Sequence, residues 1–339
     1  MDANSKWYEN NKDLYFEFKK SIQKIIELNM VTRKVPYQSI EGRLKTKESF
    51  LEKCVRKNYN EPTEAMDIVG IRIIAYTLAD VKKIGEIITS IFRVDKDNSE
   101  DKSAKMDANQ VGYLSVHYIA EYGEDRLALD ENTVFKNLKF EIQIRTILQH
   151  AWAEIEHDKG YKFGGKLPNE IGRRFSLAAG VLEMVDREFQ SLSDEIDRYS
   201  KNIKIEAERG NLSIPIDSTS LYQYISNKFG EVEKTEGSLR SQKIFEELQL
   251  YGIEILSDLD ELFSDSSVEI IDSLLASKGA KSDMNFVSII RYAMLINDAE
   301  KYLDTAWNRS WSGIPRNYIN IMKENNIDIN LNKYKINLI

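Results

Sequence analysis

Apolar residues recur at helical spacing through the first thirty positions. Trp7, Leu14, Phe18, Ile22, Ile25 and Ile26 share one face, which predicts a helix from Asn4 to Met30. Pro36 interrupts the pattern. A second helix is predicted from about Ser39 to Lys57, with Ile40, Leu44, Leu51 and Val55 turned to the core. After Pro62 the run "MDIVGIRIIAYT" is rich in β-branched residues and reads as a strand. "ADVKKIGEIITSIF" returns to helical spacing, burying Val81, Ile84, Ile87, Ile88 and Ile91. The polar segment "DKDNSEDKSAKMDANQ" is predicted to be an exposed loop. "VGYLSVHYIAEY" and "LKFEIQIR" then alternate as strands. After Thr146 the period lengthens again, predicting helix over Ile147–Asp158 and, beyond a Gly/Pro-containing turn, from Ile171 to about Tyr199.

The pattern changes around "NLSIPIDSTS". From Ser218 onward every segment is helical: "LYQYISNKFG" and "RSQKIFEELQLYG" each end in a glycine suited to helix termination, and Pro315 opens a further helix. Strands mixed with helices before this point, and helices alone after it, predict an α+β domain over 1–204 and a mostly α-helical domain over 205–339.

Composition narrows the function. With 339 residues the chain can bury two cores, and no run of about 18 apolar residues is available to span a membrane. The opening "MDANSKWYENNKD" does not read as a secretory signal, and Cys54 is the single cysteine, so no intrachain disulfide can form; a cytoplasmic location is expected. A net charge of −8 argues against a broad nucleic-acid footprint but leaves room for a local cationic patch. Three histidines and one cysteine cannot build a histidine-rich metal centre, and no zinc-ligand spacing, Walker loop, GxGxxG, GxSxG or HExxH occurs. Any nucleotide must be held without a Gly-rich cradle.

The candidate chemistry is distributed. Lys45, Ser49, Lys53 and Arg56 share a face of the predicted second helix, with Arg43 near its first turns: either a solvated cationic face or a stripe that holds phosphates. Asp67 and Arg72 fall on opposite faces of a regular strand. They can serve one site only if Asp67 lies just off the strand or Gly70 marks a bulge. Tyr113, Ser115 and His117 share a face, as do Glu141, Gln143 and Arg145; His150, Glu154 and His157 share a helical stripe. Each group could be a solvent-facing edge. Two separated acids, Asp67 and Glu141, beside cations would also suit Mg2+ with phosphate oxygens.

In the order "GRLKTKESFLEKCVRK", "DIVGIRI", "GYLSVHY" and "EIQIRTILQHAWAEIEHDKGYK", these segments resemble the RelA/SpoT family of alarmone synthetases over roughly residues 35 to 165. The resemblance implies a mixed β-sheet flanked by helices, with a nucleotidyltransferase-like core. It also implies Mg2+-dependent transfer of the β,γ-pyrophosphate of ATP to the 3′-hydroxyl of GDP or GTP, yielding (p)ppGpp and AMP. By the same resemblance Asp67 and Glu141 would be the catalytic and metal-binding acids. Arg43 and Arg72 would flank adenine, and Lys45, Ser49, Lys53 and Arg56 would hold ATP phosphates. Tyr113, His117, Gln143 and His150 would contact the acceptor, supported by Arg145, Glu154 and His157. Many relatives carry basic residues around the Gly-Tyr pair where this chain reads "ANQVGYLS", with Asn109 and Leu114, so the choice among GDP, GTP and GMP stays open. No histidine-rich hydrolase domain accompanies the motifs, so a synthetase-only member is expected, with its helical domain regulating or oligomerising it. The alternatives are a relative that pyrophosphorylates the 3′ end of tRNA and a catalytically silent scaffold.

Overall fold

A computed structural model describes residues 3–101, 115–162, 168–230, 239–277, 285–307, 311 and 313–339. The chain divides into compact units at Met1–Asp194 and Glu195–Ile339, so the division falls earlier than the predicted 204/205 boundary, inside one long helix.

The first unit opens with α1 (Ala3–Thr32), whose buried face carries Tyr8, Tyr15, Phe18, Ile22, Ile26 and Met30. There follow β1 (Ser39–Leu44), α2 (Lys47–Lys57), β2 (Val69–Ala75), α3 (Leu78–Ile91) and β3 (Arg93–Asp101). Next come β4 (Val116–Glu121), the one-turn α4 (Glu124–Leu127), β5 (Phe140–Thr146), α5 (Ile147–Lys162) and α6 (Asn169–Glu208). The strands form one five-stranded sheet in the order β1-β2-β5-β4-β3. β2 and β5 run parallel and the other neighbours antiparallel, so the sheet is mixed. Its apolar face, with Ile71, Ile73, Ile142 and Ile144, is buried in one core with α1 and α3. Phe18 of α1 meets Phe140 edge-on, and Phe92 meets the same ring from the side of α3, giving that core a directional aromatic centre.

Two predicted elements are corrected. Ser39–Lys57 is a strand and a helix rather than one helix. Thr46 ends the extended segment by capping α2, its side chain accepting from the Ser49 amide, and Asn58 closes that helix in the left-handed conformation. Gly42 was the local signal. A Cβ there would lie 2.9 Å from Gln23 Oε1 and 3.0 Å from Lys19 Cγ, so a side chain at this position would have to displace those of Gln23 and Lys19 where β1 passes close to α1. The helix buries Phe50 and Cys54, whereas Val55, expected in the core, is 81% exposed. The second correction concerns "DKDNSED". It is a strand rather than a loop, because an edge strand needs only one hydrogen-bonded neighbour and its polar side chains can stay in water. Its register against β4 shifts between Asp95 and Glu100. There Ser99 Oγ reaches the Asp95 carbonyl and accepts from the Ile119 amide.

The second unit is mostly helical: α7 (Ser218–Phe229), α8 (Leu239–Tyr251), α9 (Leu256–Asp260), α10 (Asp265–Ser277), α11 (Phe286–Lys301), α12 (Arg316–Glu324) and α13 (Leu331–Tyr334). Gly230 and Gly252, at φ of 82° and 91°, follow α7 and α8 in a conformation L-residues disfavour. The mostly helical expectation holds, and the unit also contains a short parallel pair, β6 (Gly313–Ile314) with β7 (Asn337–Leu338). Inside this unit's core, Arg291 makes a bidentate pair with Glu247 at 2.9 and 2.6 Å. The Tyr302 hydroxyl donates to Glu247 at 2.7 Å and accepts from Trp311 Nε1 at 3.0 Å.

That buried pair generates a test. Glu247→Ala leaves the Arg291 charge buried and unpaired, and should cost about 3–5 kcal/mol in urea denaturation of the full chain. Replacing both partners, Glu247→Leu with Arg291→Met, should cost clearly less than the single change. Equal losses would mean that the pair is not charged in the fold.

Candidate active site

The polar face of the sheet is assembled by strand register. In one row Arg43 stands opposite Gly70, Gly70 opposite Glu141, and Glu141 opposite Ile119. In the next row Glu41, Arg72, Gln143 and His117 follow one another across β1, β2, β5 and β4. Directly opposed residues point to the same side of a sheet, so charged groups from four strands converge. Between them lies a cleft of about 200 Å³ lined by Glu41, Arg43, Gly70, Ile71, Arg72, Glu141 and Gln143. Gly70 is what admits Arg43 to it: a Cβ at position 70 would lie 3.2 Å from Arg43 Nε, so the arginine side chain rests directly on the bare strand.

Asp67 sits just off β2, before its first residue, and β2 itself pairs in unbroken register, so Gly70 marks no bulge. The Lys45 amide donates to the Ile68 carbonyl at 2.8 Å, extending the β1–β2 ladder and bringing Lys45 beside Asp67. Lys45 and Lys53 both reach Asp67 Oδ2, at 2.8 and 2.7 Å. Lys45 is therefore not on the helix with Lys53, yet the two ammonium groups converge from strand end and helix. Burial opposes the Asp67 charge, but the two lysines outweigh it and hold the carboxyl below the usual range. Ser49 serves the α2 cap, with its hydroxyl 3.1 Å from Thr46 Oγ1, and Arg56 is exposed further along that helix.

Glu141 is held differently. His117 Nδ1 lies 3.3 Å from Oε1, Gln143 Nε2 donates to Oε2 at 2.9 Å, and Arg145 donates to Gln143 Oε1 at 2.7 Å. Here too burial raises the pKa, and the His117 and Gln143 contacts more than offset it, leaving the group low. The far ring nitrogen of His117 is 2.8 Å from Ser115 Oγ. From α5, Glu154 takes Arg72 at 2.9 Å and lies 3.8 Å from His150 Nδ1. His150 is pushed below the ordinary histidine value by burial first and then by Arg72 and Arg145, against the pull of Glu154. His157 is exposed on the same helix, and Tyr113 lies outside the described residues.

Three residues that positional reading missed hold α5 in place. Thr146 and Gln149 cap the helix reciprocally, each accepting the other's amide, and the Thr146 hydroxyl donates to the buried Asp186 of α6 at 2.7 Å. The signal was in the sequence: Thr-x-x-Gln at the point where the period changes is a capping box.

Asp67 Oδ1 is a buried acceptor with no hydrogen-bond partner, which a hard cation would satisfy. Among the described residues no group of three or more His, Cys, Asp or Glu could cage a metal unaided. The residues fit a cation that brings most of its oxygen ligands from phosphate and water, as Mg2+ does. Glu141, with both oxygens already engaged, is the lesser ligand.

The lysine pair on Asp67 has a measurable consequence for stability. Because the folded chain binds the Asp67 proton more weakly than the unfolded chain, this group stabilises the fold fully above the ordinary carboxylate pKa. The contribution is lost as pH falls through the lowered folded value. Thermal denaturation of Asp67→Asn should lose stability less steeply than wild type below about pH 4. Parallel slopes would show that the ion pairs contribute nothing.

Comparison with known proteins gives one family. Residues 42–166 match the region found in RelA / SpoT proteins. GTP pyrophosphokinase YjbM of Bacillus subtilis is 28% identical over 163 residues, 48% of this chain and 74% of that protein. GTP pyrophosphokinase YwaC of the same organism is 27% identical over 178 residues, 50% of this chain and 80% of that protein. The crystal structure of small alarmone synthetase 1 from Bacillus subtilis aligns at a TM-score of 0.48 and 26% identity, covering 57% of this chain and 98% of that chain. A GTP pyrophosphokinase family protein from Streptococcus pneumoniae aligns at 0.48 and 28%, covering 59% and 97%. The matched span contains Arg43, Arg72, His117 and Glu141 of the polar sheet face together with Lys45, Lys53 and Asp67 beside it, and over this span the chain is similar to the RelA/SpoT family.

Proposed function

We propose that the chain transfers the β,γ-pyrophosphate of ATP to the 3′-hydroxyl of GDP or GTP. The observation that carries this reading is the pair of carboxylates with opposite surroundings. Asp67 is bracketed by two ammonium groups and keeps one buried oxygen unpartnered, while Glu141, in the row that includes Arg43, is engaged only by neutral or weakly basic donors. Both curated relatives reported above are named GTP pyrophosphokinases, which supports the same acceptor class.

In this reaction the acceptor's 3′-oxygen attacks the β-phosphorus of ATP. The bond from that phosphorus to the bridging oxygen breaks, and AMP leaves with the bridging oxygen. The hydroxyl proton passes to Glu141, which accepts it as a carboxylate. Its low pKa makes it a weak base, suited to a loose transition state in which the proton leaves late. Asp67 would hold Mg2+, which supplies positive charge to the phosphate oxygens when bound. Lys45 and Lys53 then turn from Asp67 toward the phosphates, neutralising charge that develops on AMP and the moving group. Arg43 and Arg72 offer planar cations on the bare Gly70 strand, suited to holding an adenine ring. His117 and Gln143 orient Glu141 and line the acceptor side.

Incubation with Mg2+, γ-labelled ATP and GDP, GTP, GMP or deacylated tRNA tests this directly. Label is expected on GDP or GTP. Label on tRNA alone would replace the acceptor, and no transfer to any acceptor would leave a nucleotide-binding scaffold. Asp67→Asn and Glu141→Gln should each lower kcat by roughly 10²–10⁴ with an unchanged circular dichroism spectrum; near-wild-type turnover in either removes that residue from the chemistry. Gly70→Val should displace Arg43 and raise the KM for ATP by roughly tenfold, with less effect on kcat. An unchanged KM would separate Arg43 from the donor nucleotide.

A further inference from the structure

Glu41 and Arg43 of β1 face the cleft, standing opposite Arg72 and Gly70, while Gly42 between them turns toward Lys19 and Gln23 of α1. The Lys45 amide extends the same ladder by bonding the Ile68 carbonyl, so Lys45 continues the alternation past the strand's last residue. One row therefore runs from acid to guanidinium to ammonium: Glu41, Arg43, Lys45. At about 3.3 Å per residue the row is roughly 13 Å long. That is enough to seat an extended nucleotide with its phosphates at one end and its base at the other.

The acids around the cleft differ in what engages them. Asp67 has Lys45 and Lys53, Glu141 has His117 and Gln143, and Glu154 holds Arg72 at 2.9 Å. Glu41 is exposed in the cleft, and among the described residues no hydrogen bond or ion pair holds its carboxylate. A free surface glutamate is ordinary by itself. One at the end of a row that faces a polyanion is not, because its charge repels the phosphates that Lys45 attracts. The repulsion is least when the phosphates lie at Lys45, and a carboxylate, which only accepts, is then satisfied by a neutral donor on the ligand's far end. Ribose hydroxyls lie between base and phosphates, nearer the middle of the row. The group that reaches its far end is the exocyclic amine of adenine, on the edge of the ring away from the sugar.

We propose that Glu41 selects the donor nucleotide, its carboxylate accepting a hydrogen bond from the exocyclic amine of adenine. This role deepens the proposed reaction and rests on its placement of the donor base on Arg43 and Arg72. Two guanidinium planes hold any flat ring and discriminate little among bases. Glu41 supplies the selectivity that stacking lacks, since a purine without the amine leaves the carboxylate unanswered at the covered edge of the ring.

Isothermal titration calorimetry of the full chain with Mg2+ and no acceptor tests this by comparing ATP with purine riboside 5′-triphosphate, which differs from ATP only in lacking the amine. Wild type should bind ATP roughly tenfold more tightly. Glu41→Ala should bind the two equally, whatever its absolute affinity, with a circular dichroism melt matching wild type because the side chain is exposed. The same ratio should appear in the KM for the donor when release of nucleoside monophosphate is followed with GDP or GTP as acceptor. Wild type that binds both triphosphates equally, or neither, overturns the role of Glu41. So does a preference for ATP that survives in Glu41→Ala. A chain that discriminates in binding yet transfers nothing would instead overturn the proposed reaction and leave the base contact standing.

Discussion

The parallel pairing of β2 with β5 sets the other relations across the sheet of the first unit. Aligning Val69 with Phe140 fixes Gly70 beside Glu141 and Arg72 beside Gln143. Strand side chains alternate with a period of two, so a slip of one residue would turn Glu141 and Gln143 into the core and Ile142 and Ile144 into solvent. The aromatic contacts of Phe140 with Phe18 and Phe92 make such a slip expensive, because that ring fills the core from both helices. The apolar face thus enforces the geometry of the polar one. A cleft lined by side chains from several strands depends on this kind of external constraint, since each strand must hold its register for the polar groups to face one another.

The site's charges are partnered within the fold. Asp67 offsets part of the charge of Lys45 and Lys53, Glu154 faces Arg72, and His117 steadies Glu141. Partly buried charges left alone would carry a desolvation cost; paired, they can wait in the folded chain at modest penalty. In the proposed reaction, binding would be an exchange of partners rather than a filling of empty positive charge. Such exchange is sensitive to position, which makes the capping of α5 by Thr146 and Gln149 as relevant to the site as the charges themselves.

Much of this was legible in the residues. The alternation in "FEIQIR" put Glu141, Gln143 and Arg145 on one face, and the hydrogen-bonded chain along them lies there. The apolar period of α1 and α3 located the core. Ser39–Leu44 was not legible as a strand, because Ile40 and Leu44 also fit a helical period and six residues cannot separate the two. The convergence of Lys45 and Lys53 on Asp67 could not be read either, since it depends on a ladder between strands distant in sequence. Strand β3 was hidden by its composition: a strand bonded on one side shows little of the hydrophobic signal that central strands carry. The opposite surroundings of Asp67 and Glu141 depend on neighbours from other elements, which no single segment reveals.

That charged strand also limits what the sheet can become. A mixed sheet with an open edge invites another chain to add itself as the next strand, and the invitation is strongest when the edge is long, flat and apolar. Here the outermost strand carries Asp95, Lys96, Asp97, Asn98 and Glu100, and its register breaks midway. An incoming strand would meet like charges and an interrupted hydrogen-bond ladder. Charge and a broken register thus disfavour strand addition on that side, and residues that carry no chemistry set a limit on how the sheet can grow.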